Sequence, residues 1–321
     1  MKIFALSFSF LLLGLLSDPQ LKRSPLFALE PIIVSYQGPG IMNLPVGIAM
    51  QRGFFREQNL DVKLILTKTE VDRVALATGD IDFSLRGASI ILGAIKGLPV
   101  RIIFVGTIKP FWALVVRSEV NSIKDLKGKV MGVSGMAGSH HGTTRLILKQ
   151  HGLDPDKDVI FKVVGIGSRL PALLTRSMDG GLLEYGEAFR ARKSGFKILL
   201  NAADDYYSLN WGVGVSLKKL REQPDQVKRL LKAMLKGMKY MRENRDVAIE
   251  AIMSWLKVDD REMAEGIHQL SINNFTKDGT VDEATLKLLV EEQLVELGVK
   301  IEKVSQVVDL TLVNQALKEV R

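Results

Sequence analysis

No cysteine occurs among the 321 residues. A disulfide framework, a thiolate nucleophile, an iron–sulfur cluster and a cysteine-held zinc ion are therefore excluded. Histidine is nearly as scarce, with 4 copies. His140 and His141 are adjacent and so diverge on a helix, while His151 and His268 stand apart, which leaves no spaced set of metal ligands. Two catalytic signatures are incomplete. Gly135, Gly138 and Gly142 enrich one segment, but the Gly-Lys-Ser/Thr ending of a nucleotide-binding loop does not follow. The stretch Gly132-Val133-Ser134-Gly135-Met136 carries Met136 where the elbow of a serine hydrolase has glycine. No cofactor is expected on these grounds.

What the chain does contain is ordinary for a globular protein, with 46% hydrophobic and 25% charged residues. Its length suggests two lobes and a large core. Lys plus Arg outnumber Asp plus Glu by 44 to 36, a net charge of +8 that biases encounters toward anions without naming one. Lys228, Lys232 and Lys236 line one helix face after Pro224, a pattern that a solvated face explains, so no nucleic acid is expected as a partner. Lys2 precedes an apolar run from Ile3 to Leu16, too short for the ~20 residues of a spanning helix, which reads as a secretory signal. Cleavage near Ser17 or Ala28 and an uncleaved anchor are both compatible with it; residues 1–28 are taken as the signal, which places the protein in the periplasm or otherwise outside the cytoplasm, tethered to the membrane if the segment is retained.

From Pro31 onward β-rich runs alternate with helical patterns, the signature of βαβ units and mainly parallel sheets flanked by helices. Strands are expected at Ile32–Tyr36, Val62–Leu66, Ile81–Leu85, Val100–Val105, Ala113–Val116, Val130–Val133, Val159–Val164, Gly180–Leu183 and Ile198–Leu200. Past Pro224 the pattern is helical, with Val227, Leu230, Leu231, Met234, Met238 and Met241 at helical spacing. A shift of 97 positions lays Ala75, Leu76, Thr78 and Asp82 over Ala172, Leu173, Thr175 and Asp179, and Val34 over Met131. The chain is thus expected to form two similar α/β lobes: 31–115 with 212–321 as lobe one and its C-terminal helices, and 116–211 as lobe two. Bending is expected at 113–117 and 211–216, where the chain crosses between them.

Open α/β sheets bind ligands outside the carboxyl ends of their strands, where loops lead into helix N-termini. In lobe one those loops hold Gln37, Gly38, Pro39, Asn43, Gly87 and Ser89. In lobe two they hold Ser139, His140, Glu184 and Tyr185. Ser139 to Thr144 could cradle an anionic group or simply cap a helix. Glu184 could accept from an amine or ring nitrogen, or cap a helix on the surface. Trp112 and Trp211 flank the crossings and could stack on a flat ligand or pack in the core, with Trp112 and Tyr185 ranked ahead of Trp211 and Trp255.

Several segments also carry a family likeness. Leu44-Pro45, Ile48-Ala49, Gly53-Phe54-Phe55 and Leu60-Asp61-Val62 resemble the opening motif of the periplasmic substrate-binding proteins for nitrate, sulfonates, taurine and thiamine-pyrimidine precursors. Gly79 to Phe83, Gly97 to Val100, Asp125 to Lys129, Gly152 to Pro155 and Gly195-Phe196 follow in the family's order, so the resemblance spans residues 31 to about 255. It implies a type II periplasmic-binding-protein fold, no catalysis, a small-molecule ligand held between the lobes, and a membrane permease of an ABC importer as partner to a monomeric receptor. The family's enzymatic pyrimidine synthases carry a cysteine-rich motif that is absent here. The expected function is capture of a small, acid-bearing organic molecule, with its acid at Ser139 and His140 and an amine or heteroaromatic nitrogen near Glu184, Tyr185 and Trp112. The alternative is a small-molecule enzyme on the same two lobes with a cleft Glu or His as general base.

Overall fold

In the computed structural model, which describes residues 28–136, 139–165, 167–297 and 303–320, ten strands form two sheets. The first contains β1 (Glu30–Tyr36), β2 (Leu60–Leu66), β3 (Phe83–Ser84), β4 (Val100–Val105) and β10 (Gly212–Ser216), in the order β2-β1-β3-β10-β4. The second contains β5 (Trp112–Val116), β6 (Val130–Val133), β7 (Ile160–Val163), β8 (Gly180–Glu184) and β9 (Lys197–Asn201), in the order β7-β6-β8-β5-β9. β1 runs parallel to β2 and β3, and β6 parallel to β7 and β8. One strand in each sheet opposes its neighbours: β10 lies antiparallel to β3 and β4, and β5 antiparallel to β8 and β9. These two are the strands by which the chain enters lobe two and returns to lobe one.

The internal repeat holds at the level of register. Val34 pairs with Phe83 and Met131 with Gly180, while Ile33 pairs with Lys63 and Val130 with Ile160. Each member of the second pairs lies 97 residues after its counterpart. Even the polar fastening is repeated. Asp82 accepts from the Ile33 backbone N–H at 2.7 Å and Asp179 from that of Val130 at 2.9 Å, and each carboxylate meets one cation, Lys219 at 2.7 Å or Arg117 at 3.4 Å.

Nine of the ten strands stand where β-rich runs occur in the sequence; β10 does not announce itself because Gly212 and Gly214 interrupt its pattern. Both glycines are required by close approach. A Cβ on Gly212 would lie 2.6 Å from the Phe104 carbonyl oxygen, and one on Gly214 would lie 2.6 Å from Ile90 Cγ1. β5 belongs wholly to the second sheet, so a boundary at 115/116 would cut through it. The connections between sheets are residues 106–111 and the stretch from Tyr206 to Trp211, and the segments 113–117 and 211–216 lie largely within hydrogen-bonded strands.

The helix Pro224–Glu243 buries Val227, Leu230, Leu231, Met234, Met238 and Met241 as its spacing predicts. Three of its lysines find carboxylates: Lys228 and Lys232 meet Glu319, and Lys236 meets Glu57. The helices Arg245–Leu256 and Arg261–Ser271 reach across to lobe two. Gly266 lets Phe189 of the helix Tyr185–Lys193 approach, since a Cβ there would lie 2.8 Å from the ring, and Lys193 pairs with Asp260. A hydrophobic cluster therefore runs from one lobe into the other through Tyr185, Ala188, Phe189, Met263 and Ile267. Among the described residues no helix is long and apolar enough to cross a membrane, and the apolar run at 3–16 lies outside them.

Candidate functional site: a cavity between the lobes

The loop after β1 turns at Gly38, whose φ of 124° suits glycine. Asn43 closes the turn, donating from Nδ2 to the Gly38 carbonyl at 2.9 Å, and Pro45 follows at the start of the helix Leu44–Gln51. This rigid turn presents Pro39, Gly40 and Ile41 to lobe two. Opposite it, β8 ends at Glu184, which holds the N-cap position of the helix Tyr185–Lys193 in an extended conformation but makes no side-chain capping bond. Its carboxylate instead turns toward lobe one, where Gly40 passes so close that a Cβ would lie 3.8 Å from Glu184 Oε2.

Between these two loops lies a cavity of about 300 Å³, lined by Pro39 and Ile41 from lobe one, Glu184, Tyr185, Gly186, Glu187 and Arg190 from lobe two, and Trp255, Leu256 and Lys257 from the C-terminal helices. That size suits a small organic molecule. Trp255 lies over the helix Leu44–Gln51 at Gly47, where a Cβ would come 3.0 Å from the indole. A residue larger than glycine there would displace the ring from the cavity wall.

The polar content of the cavity is concentrated in lobe two. Glu184 accepts no hydrogen bond and Glu187 Oε2 is buried without a partner among the described residues. Burial holds both carboxyls above the usual range, each glutamate's neighbourhood adding to this or relieving it: Glu187 raises Glu184 further, whereas Arg169 lowers both. Arg169 is itself 1% exposed, donates from Nη1 to the Leu182 carbonyl at 3.0 Å, and makes no ion pair within 4.0 Å among the described residues. Its Nε has no partner there either. Burial lowers its pKa as well.

Of the residues singled out in the sequence, Pro39, Glu184 and Tyr185 meet at the cavity. Gln37 and Asn43 stand in the adjoining turn, each with a buried side-chain oxygen lacking a partner among the described residues. Others serve the lobes' interiors. His140 sets Nε2 2.9 Å from the Leu182 carbonyl and its ring edge-on to Trp112 at 5.1 Å; burial, with Arg169 nearby, lowers its pKa to about 3, so the imidazole is neutral. It brings no positive charge to an acid. Trp112 packs in the core of lobe two, and Trp211, fully buried, packs against Phe104 and Phe275. Gly87 lies where a Cβ would strike Leu209 at 2.4 Å, and Ser89 is buried two residues further on. Ser139 opens a helix, but its side chain lies outside the described residues.

Tyr185 contributes its ring to the cavity and its hydroxyl to the connection between lobes. The hydroxyl donates to Asn201 Oδ1 at 2.7 Å and accepts from Asn274 Nδ2 at 3.0 Å, which also donates to the Pro110 carbonyl at 2.8 Å. Burial pushes the phenol up to about 12. Ile41 and Gly186 belong to the loops read from the sequence but are not among its binding candidates; Glu187, Arg190, Leu256 and Lys257 were not singled out, and Trp255 was ranked low. Glu187 follows Glu184 by three positions, one helical turn, which is the signal that could have flagged it. Among the described residues no three His, Asp or Glu side chains gather in a cluster able to hold a metal ion.

The arrangement is that of a cleft between two lobes, and comparison with known proteins agrees on the fold. The periplasmic sulfonate-binding protein SsuA of Methylobacillus flagellatus KT superposes with a TM-score of 0.70 at 19% identity, covering 91% of this chain and 95% of its own. The periplasmic nitrate-binding protein NrtA of Synechocystis PCC 6803 gives 0.70 at 17% identity, covering 91% and 89%. At such identities the likeness is one of fold. In sequence, the riboflavin-binding protein RibY of Chloroflexus aurantiacus is 22% identical over 225 residues, which span 68% of this chain and 64% of that protein, slightly under two thirds of its length. The family model described as NMT1/THI5 like matches residues 43–248, more than half of the chain. The chain belongs to the NMT1/THI5-like family.

Proposed function

We propose that this protein is an exported, non-catalytic solute receptor that encloses a small, acid-bearing organic molecule between its lobes and delivers it to the membrane permease of an ABC importer. The observation that carries the reading is the 300 Å³ cavity built jointly by both lobes and the C-terminal helices, so that a solute within it bridges them and favours the closed arrangement. Membership of the family and the names of the structural relatives support the same role. Arg190 and Lys257, both exposed at the cavity, together with the net charge of +8, favour the acid group. The acid is better served there than at His140, which is neutral and engaged with Leu182.

An enzymatic reading would need Glu184 as a base beside a bound acid. His140 could not assist it, because that side chain is turned to a backbone carbonyl in the interior of lobe two, and the second carboxyl at the cavity, Glu187, belongs to the same helical turn rather than to the opposite wall. Mass spectrometry of molecules released from protein recovered from the cell envelope tests the proposal. A single small acid, released unchanged, in a polypeptide shortened at its N-terminus, is the expected result. Conversion of that acid by the protein would favour the enzyme, and full-length protein confined to the cytoplasm would remove the transport role.

A further inference from the structure

We propose that Glu184 and Glu187 together receive a nitrogen cation of the solute, such as an ammonium or amidinium group. This rests on the reading of the cavity as a solute site and adds the chemistry of its inner end. Both carboxylates line the cavity from one turn of the same helix. Neither is in an ion pair within 4.0 Å among the described residues; Glu184 accepts no hydrogen bond there, and Glu187, although it takes the backbone N–H of Gly167, keeps Oε2 buried and unpartnered. Buried acceptors of this kind are costly to leave unsatisfied, and a donor entering the cavity is the group that would satisfy them.

The cations around the pair do not take that place. Arg169, from the helix Arg169–Leu174, spends its Nη1 on the Leu182 carbonyl and stops short of both carboxylates. Arg190, one turn along the same helix, and Lys257, at the end of the helix Arg245–Leu256, are both exposed and screened by water. His140, beyond Leu182, is neutral. Lobe one offers only Pro39, Gly40 and Ile41 to this end of the cavity, none of which donates a side-chain hydrogen bond.

Proton linkage follows from the same geometry. Two neighbouring carboxylates in a partly desolvated cavity share a proton more readily than they ionise together. A nitrogen cation settling between them favours the doubly ionised pair, so the shared proton leaves to the buffer as the cation binds. Affinity for the cation should therefore rise as pH rises from the ordinary glutamate range toward the raised value of the pair, and level off above it.

Benzamidine, a planar cation with two N–H edges on an aromatic ring, is a suitable probe, with neutral benzamide and anionic benzoate as controls. Calorimetry in two buffers of different ionisation enthalpy reads affinity and proton release together. The expected result is selective binding of benzamidine, release of up to about one proton at pH values below the raised pKa of the pair, and a loss of roughly tenfold to a hundredfold in affinity for Glu187→Gln and for Glu184→Gln. The melting temperature of each variant without probe should equal or exceed that of the parent chain, since like-charge repulsion is removed; a fall of many degrees would make the pair structural and overturn the inference. Failure of benzamidine to bind, or binding without proton release and unchanged in Glu187→Gln, also overturns it. If benzoate binds instead, the nitrogen site is wrong and the acid receptor stands; if the protein neither binds a probe nor releases any small molecule when denatured, the receptor reading falls as well.

Discussion

The two lobes share a scaffold and differ in chemistry. Strand order, register and the Asp82 and Asp179 fastenings are repeated at a constant offset of 97 residues. At other equivalent positions the repeat is broken. Asp72 in lobe one is fully buried and accepts from the hydroxyls of Ser35, Thr67 and Ser84. Its counterpart in lobe two is Arg169, and the counterparts of the three hydroxyl residues are Gly132, Val164 and Gly181. Charge has been inverted and the partners deleted. Met178 occupies the space this opens, since a Cβ on Gly132 would lie 2.4 Å from its sulfur. Asn43 corresponds to His140 in the same way, and the glycine of one third-strand loop, Gly87, to Glu184 in the other. At these equivalent loops lobe one thus supplies shape to the cavity, and lobe two supplies charge.

Acid should produce the largest difference between the lobes. His140 is neutral in the folded protein, with a pKa of about 3 against 6.5 for an ordinary histidine. Because the unfolded chain binds the proton first, the stability due to this group is complete above pH 6.5 and is lost as pH falls from there toward 3, by at most about 5 kcal/mol. Glu184 and Glu187 act in the opposite sense: raised in the folded state, they contribute stability at low pH that is lost as pH rises through their folded values. Urea unfolding at a series of pH values should show the histidine-driven loss, and His140→Asn, which installs the lobe-one residue, should flatten it. An unchanged slope in that variant would mean that another group governs acid sensitivity.

Next in size is the pair at the inverted position. Asp72→Ala removes the acceptor shared by three hydroxyls, two of them buried, together with the carboxylate 3.9 Å from Arg86, and should cost roughly 3–4 kcal/mol. Arg169→Met removes a buried cation that makes no ion pair within 4.0 Å among the described residues, and the Leu182 carbonyl retains His140, so stability should change by less than about 1 kcal/mol in either direction. Equal losses at the two sites, measured by denaturant midpoint, would show that Arg169 is compensated as well as Asp72 is.

The sequence makes the repeat readable because it is written in hydrophobic periodicity and in a few fixed residues, Asp82 and Asp179 among them, whose roles depend on local backbone. β10 escaped because its glycines answer to Ile90 and the Phe104 carbonyl, which are distant in sequence. The site was readable where it is made by loops after parallel strands, at Pro39, Glu184 and Tyr185. It was not readable at Trp255, whose place in the cavity depends on the helix Arg245–Leu256 resting on Gly47, some two hundred residues earlier. Nor does local sequence separate Trp112, buried in lobe two beside His140, from an aromatic that faces a ligand.

A smaller effect separates the two repeated fastenings. Lys219 meets Asp82 at 2.7 Å and is nearly buried, whereas Arg117 lies 3.4 Å from Asp179 and is shared with Glu119. Asp82→Ala should therefore cost roughly 2–3 kcal/mol and Asp179→Ala roughly 1–2 kcal/mol. Equal losses would show that the backbone hydrogen bond, common to both, outweighs the ion pair.

The smallest expected change tests how the lobes are joined. Tyr185 places its hydroxyl between Asn201, at the end of β9, and Asn274, which also holds the Pro110 carbonyl in the first connection between the sheets. Its ring meets Phe111 edge-on at 6.2 Å, and Phe111 in turn packs against Phe275. Removing the hydroxyl leaves Asn274 bonded to Pro110, and Asn201 Oδ1 still receives the Ala203 backbone N–H at 3.2 Å. Neither asparagine is stranded, so Tyr185→Phe should cost only about 1 kcal/mol of stability. The same 1 kcal/mol acts on the balance between open and closed lobes, where it amounts to about a fivefold shift. Small-angle scattering of the unliganded variant should then give a larger radius of gyration than the parent chain, with the two converging when solute is bound. An unchanged radius without solute would place the resistance to opening in the packing of Phe189 against Gly266 and in the Lys193–Asp260 pair, which tie lobe two to the C-terminal helices independently of Tyr185.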